Sequence, residues 1–134
     1  MGNGYQRTNR RKYALKVHIV LVTKYRKPLL ISDIANDVKK MINRITADHE
    51  QAVLAMETDR DHIHILLEYD ATERVCDIVK EIKQTTTYFL WQKYGTCLSR
   101  HYWKKRVFWS DGYFACSIGE VSSATIQKYI ESQG

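Results

Sequence analysis

One proline and three cysteines stand among the 134 residues, and neither residue type is grouped. Cys76, Cys97 and Cys116 are odd in number, widely spaced and free of any Cys-x-x-Cys pattern. That excludes both a disulfide framework and a thiolate zinc knuckle, and it fits a reducing, cytosolic setting. Long apolar runs are also missing. The longest, His18 to Val22, is far short of the roughly 20 residues that a membrane span requires, so no membrane association is expected. The opening residues Met-Gly-Asn-Gly-Tyr-Gln-Arg lack the apolar h-region of a secretory signal, and Gln6 stands where a myristoylation site carries Ser or Thr. Internal repeats, low-complexity tracts and linkers are absent as well, so residues 1–134 read as one domain.

What is present leans basic. Lys and Arg number 21 against 15 Asp and Glu, a net charge of +6 that favours a polyanionic partner. A basic segment occupies residues 1–12. Tyr13 to Lys24 follows, rich in β-branched residues, with His18, Val20 and Val22 alternating against Val17, Ile19 and Leu21; it reads as a buried or central strand. Pro28 ends it, because proline cannot donate to a ladder. Ile34, Val38, Met41 or Ile42, and Ile45 recur at helical spacing and predict a helix over 31–48.

Gln51 to Thr58 and His62 to Tyr69 are apolar runs joined by Asp59-Arg-Asp61, a link of hairpin length. Thr72 is a plausible N-cap for a long helix whose buried stripe would be Val75, Ile78, Val79, Ile82 and Phe89, with Gly95 as its stop. A basic aromatic connector from Leu98 to Arg106 leads into a strand over Val107 to Ile118, bent near Asp111-Gly112. A last helix is expected over 122–133. The order β-α-β-β-α-β plus a helix is the α+β, ferredoxin-like pattern. Since both faces of the first strand are apolar in places, the sheet face away from the two helices should be covered too, by the last helix or by a partner.

The chemistry concentrates in Asp61-His-Ile-His-Ile-Leu-Leu-Glu-Tyr69. Side chains on a strand alternate, so His62 and His64 share one face while Ile63, Ile65 and Leu67 take the other. Two imidazoles on a rigid strand are half of a metal site. Tyr129 and Gln133 are four residues apart, hence on one helical face, and the Gln133 carbonyl could be a third ligand. A metal so held would polarise a phosphodiester for attack by the Tyr129 oxygen, whose reference pKa of about 10 calls for such help. Each residue also has a plain alternative: two polar strand residues, a packed aromatic beside Ile126 and Ile130, and a surface amide.

In order and spacing, Asp61-His-Ile-His-Ile-Leu, Trp109-Ser-Asp-Gly-Tyr-Phe114 with Gly119, and Ile126-Gln-Lys-Tyr-Ile-Glu-Ser-Gln133 resemble the single-tyrosine HUH transposases of the IS200/IS605 insertion-sequence family. The resemblance spans essentially the whole chain. It implies Mg²⁺ or Mn²⁺ on His62, His64 and Gln133, and Tyr129 as nucleophile. It also implies single-stranded DNA with hairpin-forming ends as substrate, a 5′-phosphotyrosine intermediate, a homodimer, and no nucleotide cofactor. Relaxases and replication initiators with the same metal motif often carry two tyrosines; here Thr125 and Gln133 flank Tyr129, which favours the single-tyrosine group. Arg10, Arg11 and Lys12, and then Lys104, Lys105 and Arg106 beside His101, Tyr102 and Trp103, are candidate DNA contacts. A domesticated relative that processes palindromes, or a non-catalytic ferredoxin-like module that binds nucleic acid, would share much of this pattern.

Overall fold

The computed structural model describes residues 15–118, 128 and 130–132. The basic segment with Arg10, Arg11 and Lys12 lies outside the described residues, as do Tyr129 and Gln133. Strands β1 (Leu15–Val22), β2 (Ala52–Asp59), β3 (His62–Tyr69) and β4 (Phe114–Ser117) alternate with helices α1 (Ser32–Asp48) and α2 (Val75–Ser99) in the expected order. The strands form one antiparallel sheet in the order β2-β3-β1-β4, which places the most apolar strand, β1, and the histidine strand side by side at its centre.

Alternation along the two central strands builds the main core. Val17, Ile19 and Leu21 of β1 and Ile63, Ile65 and Leu67 of β3 are all buried, packed with Ile34, Val38 and Ile42 of α1 and Ile78, Val79 and Ile82 of α2. The opposite face carries His18, Val20 and Val22 alongside His64 and His62. It is covered in part, as expected: Ile130, in the helical stretch near the end of the chain, is buried against Val20 and Val22 with Phe114 beside them.

Helix α2 differs from expectation at both ends. It starts at Val75 after Arg74, with no side-chain cap, so Thr72 lies in the turn before it. Gly95 does not stop it. The backbone kinks at Tyr94 (φ −119°) and the helix runs one turn further, because Leu98 has a core site to fill. Phe89 is half-exposed, and the buried stripe turns instead through Thr86, Leu90 and Trp91.

The stretch from Val107 to Ile118 is two pieces rather than one strand. Trp109 bridges Thr23, and the Ser110 amide donates to the Val22 carbonyl over 2.8 Å; the chain then breaks away and rejoins β1 as β4. The half-buried Lys83 ammonium holds the break, donating to the carbonyls of Ser110, Asp111 and Gly112 at 2.8, 3.1 and 3.0 Å. Burial pushes its pKa down, with Asp111 opposing. Lys83→Met keeps the stem and removes these bonds; unfolding in urea should show a loss of about 1.5–3 kcal/mol, the usual range for hydrogen bonds to a charged group.

Candidate active site

His62 and His64 project from β3 on the face away from α1 and α2, half-buried, with ring centroids 4.9 Å apart. Their cross-strand neighbours are Val22 and Val20 on β1, and Asp59 and Glu57 on β2. Both rings are held by their Nδ1 atoms. His62 Nδ1 lies 2.8 Å from Asp61 Oδ1, and since a carboxylate only accepts, Nδ1 carries a proton, which in the neutral ring leaves Nε2 bare. His64 Nδ1 lies 3.1 Å from His18 Nε2.

Asp61 is held in turn by Arg26, whose Nε donates to Oδ2 over 2.9 Å. Burial pushes the Asp61 carboxyl up, but the hydrogen bonds from His62 and Arg26 and the guanidinium charge outweigh it and keep the group below its ordinary value. The turn after β1 delivers Arg26 at a cost: Tyr25 and Arg26 both take left-handed backbone angles, φ 59° and 52°. Such residues store on the order of 1 kcal/mol or more each, and the turn is closed by Thr23 Oγ1 donating to the Lys27 carbonyl over 2.7 Å. Arg26 Nη1 also reaches the Glu131 carbonyl at 3.5 Å, which ties the turn to the helical stretch at the end of the chain.

Burial lowers the His64 pKa, reinforced by His62 and His18 and opposed by Glu57 and Asp59; burial lowers that of His18. Lowered values favour neutral rings, so the folded chain takes up fewer protons than the unfolded chain below the ordinary value of 6.5. Stability is complete above that pH and declines as pH falls through the window beneath it. With no divalent ion added, the urea midpoint should therefore be lower at about pH 5.5 than at about pH 7.5, and His18→Leu with His64→Leu should flatten the difference. Asp61 acts in a separate window, below 3.8.

Neutral imidazoles with bare Nε2 atoms are what a divalent ion requires. Two imidazoles with nearby carboxylates could serve an open site, and a donor set that includes nitrogen suits Mn²⁺ as well as Mg²⁺. Among the described residues no group of three His, Cys, Asp or Glu side chains is arranged to hold a metal ion by itself. Ile130 rests on Val20 and Val22, the cross-strand neighbours of His64 and His62. Ile130 thus lies over the histidine face.

Lys104, Lys105 and Arg106 are exposed, and the Arg106 guanidinium lies 5.6 Å from the Trp91 ring centre. Trp103 is 75% exposed and free to stack. Tyr102 is not: it is buried, and its hydroxyl donates to the Lys24 carbonyl over 2.8 Å, whereas Tyr25 stands exposed nearby. Sequence reasoning missed Arg26 and the role of His18. The signal for His18 was a polar ring in the middle of an otherwise apolar strand; for Arg26 nothing local marked it.

The sequence model of the family described as "Transposase IS200 like" matches residues 11–133. The ISDra2 transposase TnpA of Deinococcus radiodurans is 31% identical over 121 residues, 90% of this chain and 85% of the relative. The transposase for insertion sequence element IS200 of Salmonella typhimurium is 27% identical over 91% of this chain and 78% of its own length. Among solved structures, a candidate transposase from Deinococcus radiodurans R1 superposes with a TM-score of 0.82 at 27% identity, covering 90% of this chain and 92% of the other. A REP-associated tyrosine transposase bound to a REP hairpin shares the fold, with a TM-score of 0.57 at 12% identity over 87% of this chain and 62% of that one.

Proposed function

The chain belongs to the IS200-like transposase family, and from that premise we propose that it cleaves and rejoins single-stranded DNA through a covalent bond to Tyr129. The observation that carries this reading is the pair of histidines whose Nδ1 atoms are engaged by Asp61 and His18, on the sheet face over which Ile130 lies. When bound to His62, His64 and Gln133, Mn²⁺ or Mg²⁺ would supply Lewis-acid polarisation of a phosphodiester.

The protein's own groups do the rest. The Tyr129 oxygen attacks phosphorus and gives up its proton to solvent; the P–O3′ bond breaks, and the departing oxygen takes a proton to become a free 3′-hydroxyl. The 5′-phosphate is left on tyrosine. Attack by another 3′-hydroxyl on that phosphotyrosine reverses the step and joins new ends, so the covalent link conserves the bond energy and no nucleotide is consumed. Lys104, Lys105 and Arg106 would hold backbone phosphates and Trp103 would stack on an unpaired base, consistent with the net charge of +6. Hairpin-forming element ends are the proposed substrate and a homodimer the proposed working unit.

The test is incubation with Mn²⁺ and single-stranded oligonucleotides that carry hairpins from the flanking genomic DNA. A protein-DNA adduct that survives denaturing electrophoresis is the expected result. Binding with no adduct on any such substrate would instead favour a non-catalytic nucleic-acid-binding module.

A further inference from the structure

His18 stands where its own strand has no use for an imidazole. Its neighbours along β1 are Val17 and Ile19, and its partners across the sheet are Leu66 on β3 and Cys116 on β4. Placing a polar ring there costs stability unless it is hydrogen-bonded, and neither Leu66 nor a thiol is a strong partner. The ring is turned instead to His64: Nε2 lies 3.1 Å from His64 Nδ1, with ring centroids 5.3 Å apart.

A hydrogen bond between two neutral imidazole nitrogens needs one proton, so only two arrangements exist. If His18 Nε2 carries it, His64 Nδ1 accepts and His64 Nε2 is protonated, which blocks that nitrogen as a ligand. If His64 Nδ1 carries it, His18 Nε2 accepts, His18 keeps its own proton on Nδ1, and His64 Nε2 is bare. The second arrangement matches the one that Asp61 imposes on His62. A partner on the far nitrogen of a metal-ligating histidine fixes its tautomer and ring orientation, and loss of such a partner typically weakens metal binding.

We propose that His18 is a positioning residue for the metal site: it accepts the Nδ1 proton of His64 and so presents His64 Nε2 to a divalent ion, as Asp61 does for His62. This rests on the reading of His62 and His64 as metal ligands. Two residues from different elements, one an acid before the motif and the other a histidine 46 positions away, then orient the two ligands.

Titration calorimetry with Mn²⁺ alone separates the possibilities. His18→Leu removes the acceptor and should weaken Mn²⁺ binding about tenfold to a hundredfold. His18→Gln places an amide oxygen near the position of Nε2 and should restore binding to within about threefold of the native chain. Equal affinity in the native and His18→Leu proteins would overturn the proposal, as would His18→Gln no better than His18→Leu. Absence of Mn²⁺ binding by the native chain would overturn the metal site itself and the role of His18 with it. Long-range ¹H–¹⁵N spectra of the native protein give a readout that does not depend on the variants folding. His64 protonated on Nδ1 supports the assignment; His64 protonated on Nε2 contradicts it.

Discussion

Tyr129→Phe is expected to abolish covalent capture of single-stranded DNA and to lower strand cleavage by at least about a thousandfold, the scale on which removal of a nucleophile acts. The substitution deletes one oxygen and keeps the ring, so the packing of neighbouring Ile130 on Val20 and Val22 should survive. Binding to a hairpin oligonucleotide should therefore change little, and so should the urea midpoint. The two losses must occur together for the assignment to hold. An undiminished adduct would move the nucleophile to another residue, whereas nicking that persists with no adduct would give the attack to water.

The second large effect is expected for His64→Ala. Loss of a metal ligand should cost cleavage at least about a hundredfold, the upper end for loss of a mere outer-shell partner. DNA affinity should stay near the native value, because lysine and arginine contacts to phosphate, and not one metal ion, dominate it. Hairpin binding in a gel-shift assay and cleavage on the same substrate make the comparison direct. A variant that cleaves at the native rate removes His64 from the site. One that loses binding and cleavage in equal measure shows that His64 serves the DNA surface rather than the chemistry.

Much of this arrangement is legible in short stretches of sequence. The faces of β1 and β3 follow from alternation alone, which is why His62 and His64 could be placed together, opposite Ile63 and Ile65, before any tertiary contact was considered. Helix α1 follows as directly from Ile34, Val38, Ile42 and Ile45. Helix α2 was less legible because its end is set by packing: glycine permits a stop, but burial of Leu98 carries the helix past Gly95. Phe89 misled because Leu90 and Trp91, its neighbours around the helix, are the ones that packing buries. Tyr102 looked like a stacking ring by composition, yet its hydroxyl has a backbone acceptor in the turn after β1.

The sequence by itself determined the α+β class, the order of the elements, the side of the sheet on which the two histidines stand, and the family resemblance that the comparisons bear out. Those properties are local, because side-chain direction in a strand or helix repeats with a fixed period. Tertiary structure alone decided which distant groups back up the histidines and Asp61. Arg26 meets Asp61 across 35 positions and His18 meets His64 across 46, and these separations follow no period. They arise because β1 and the turn after it pack beside β3, which brings Arg26 from the turn to Asp61 and His18, from a strand that otherwise reads as core, to His64.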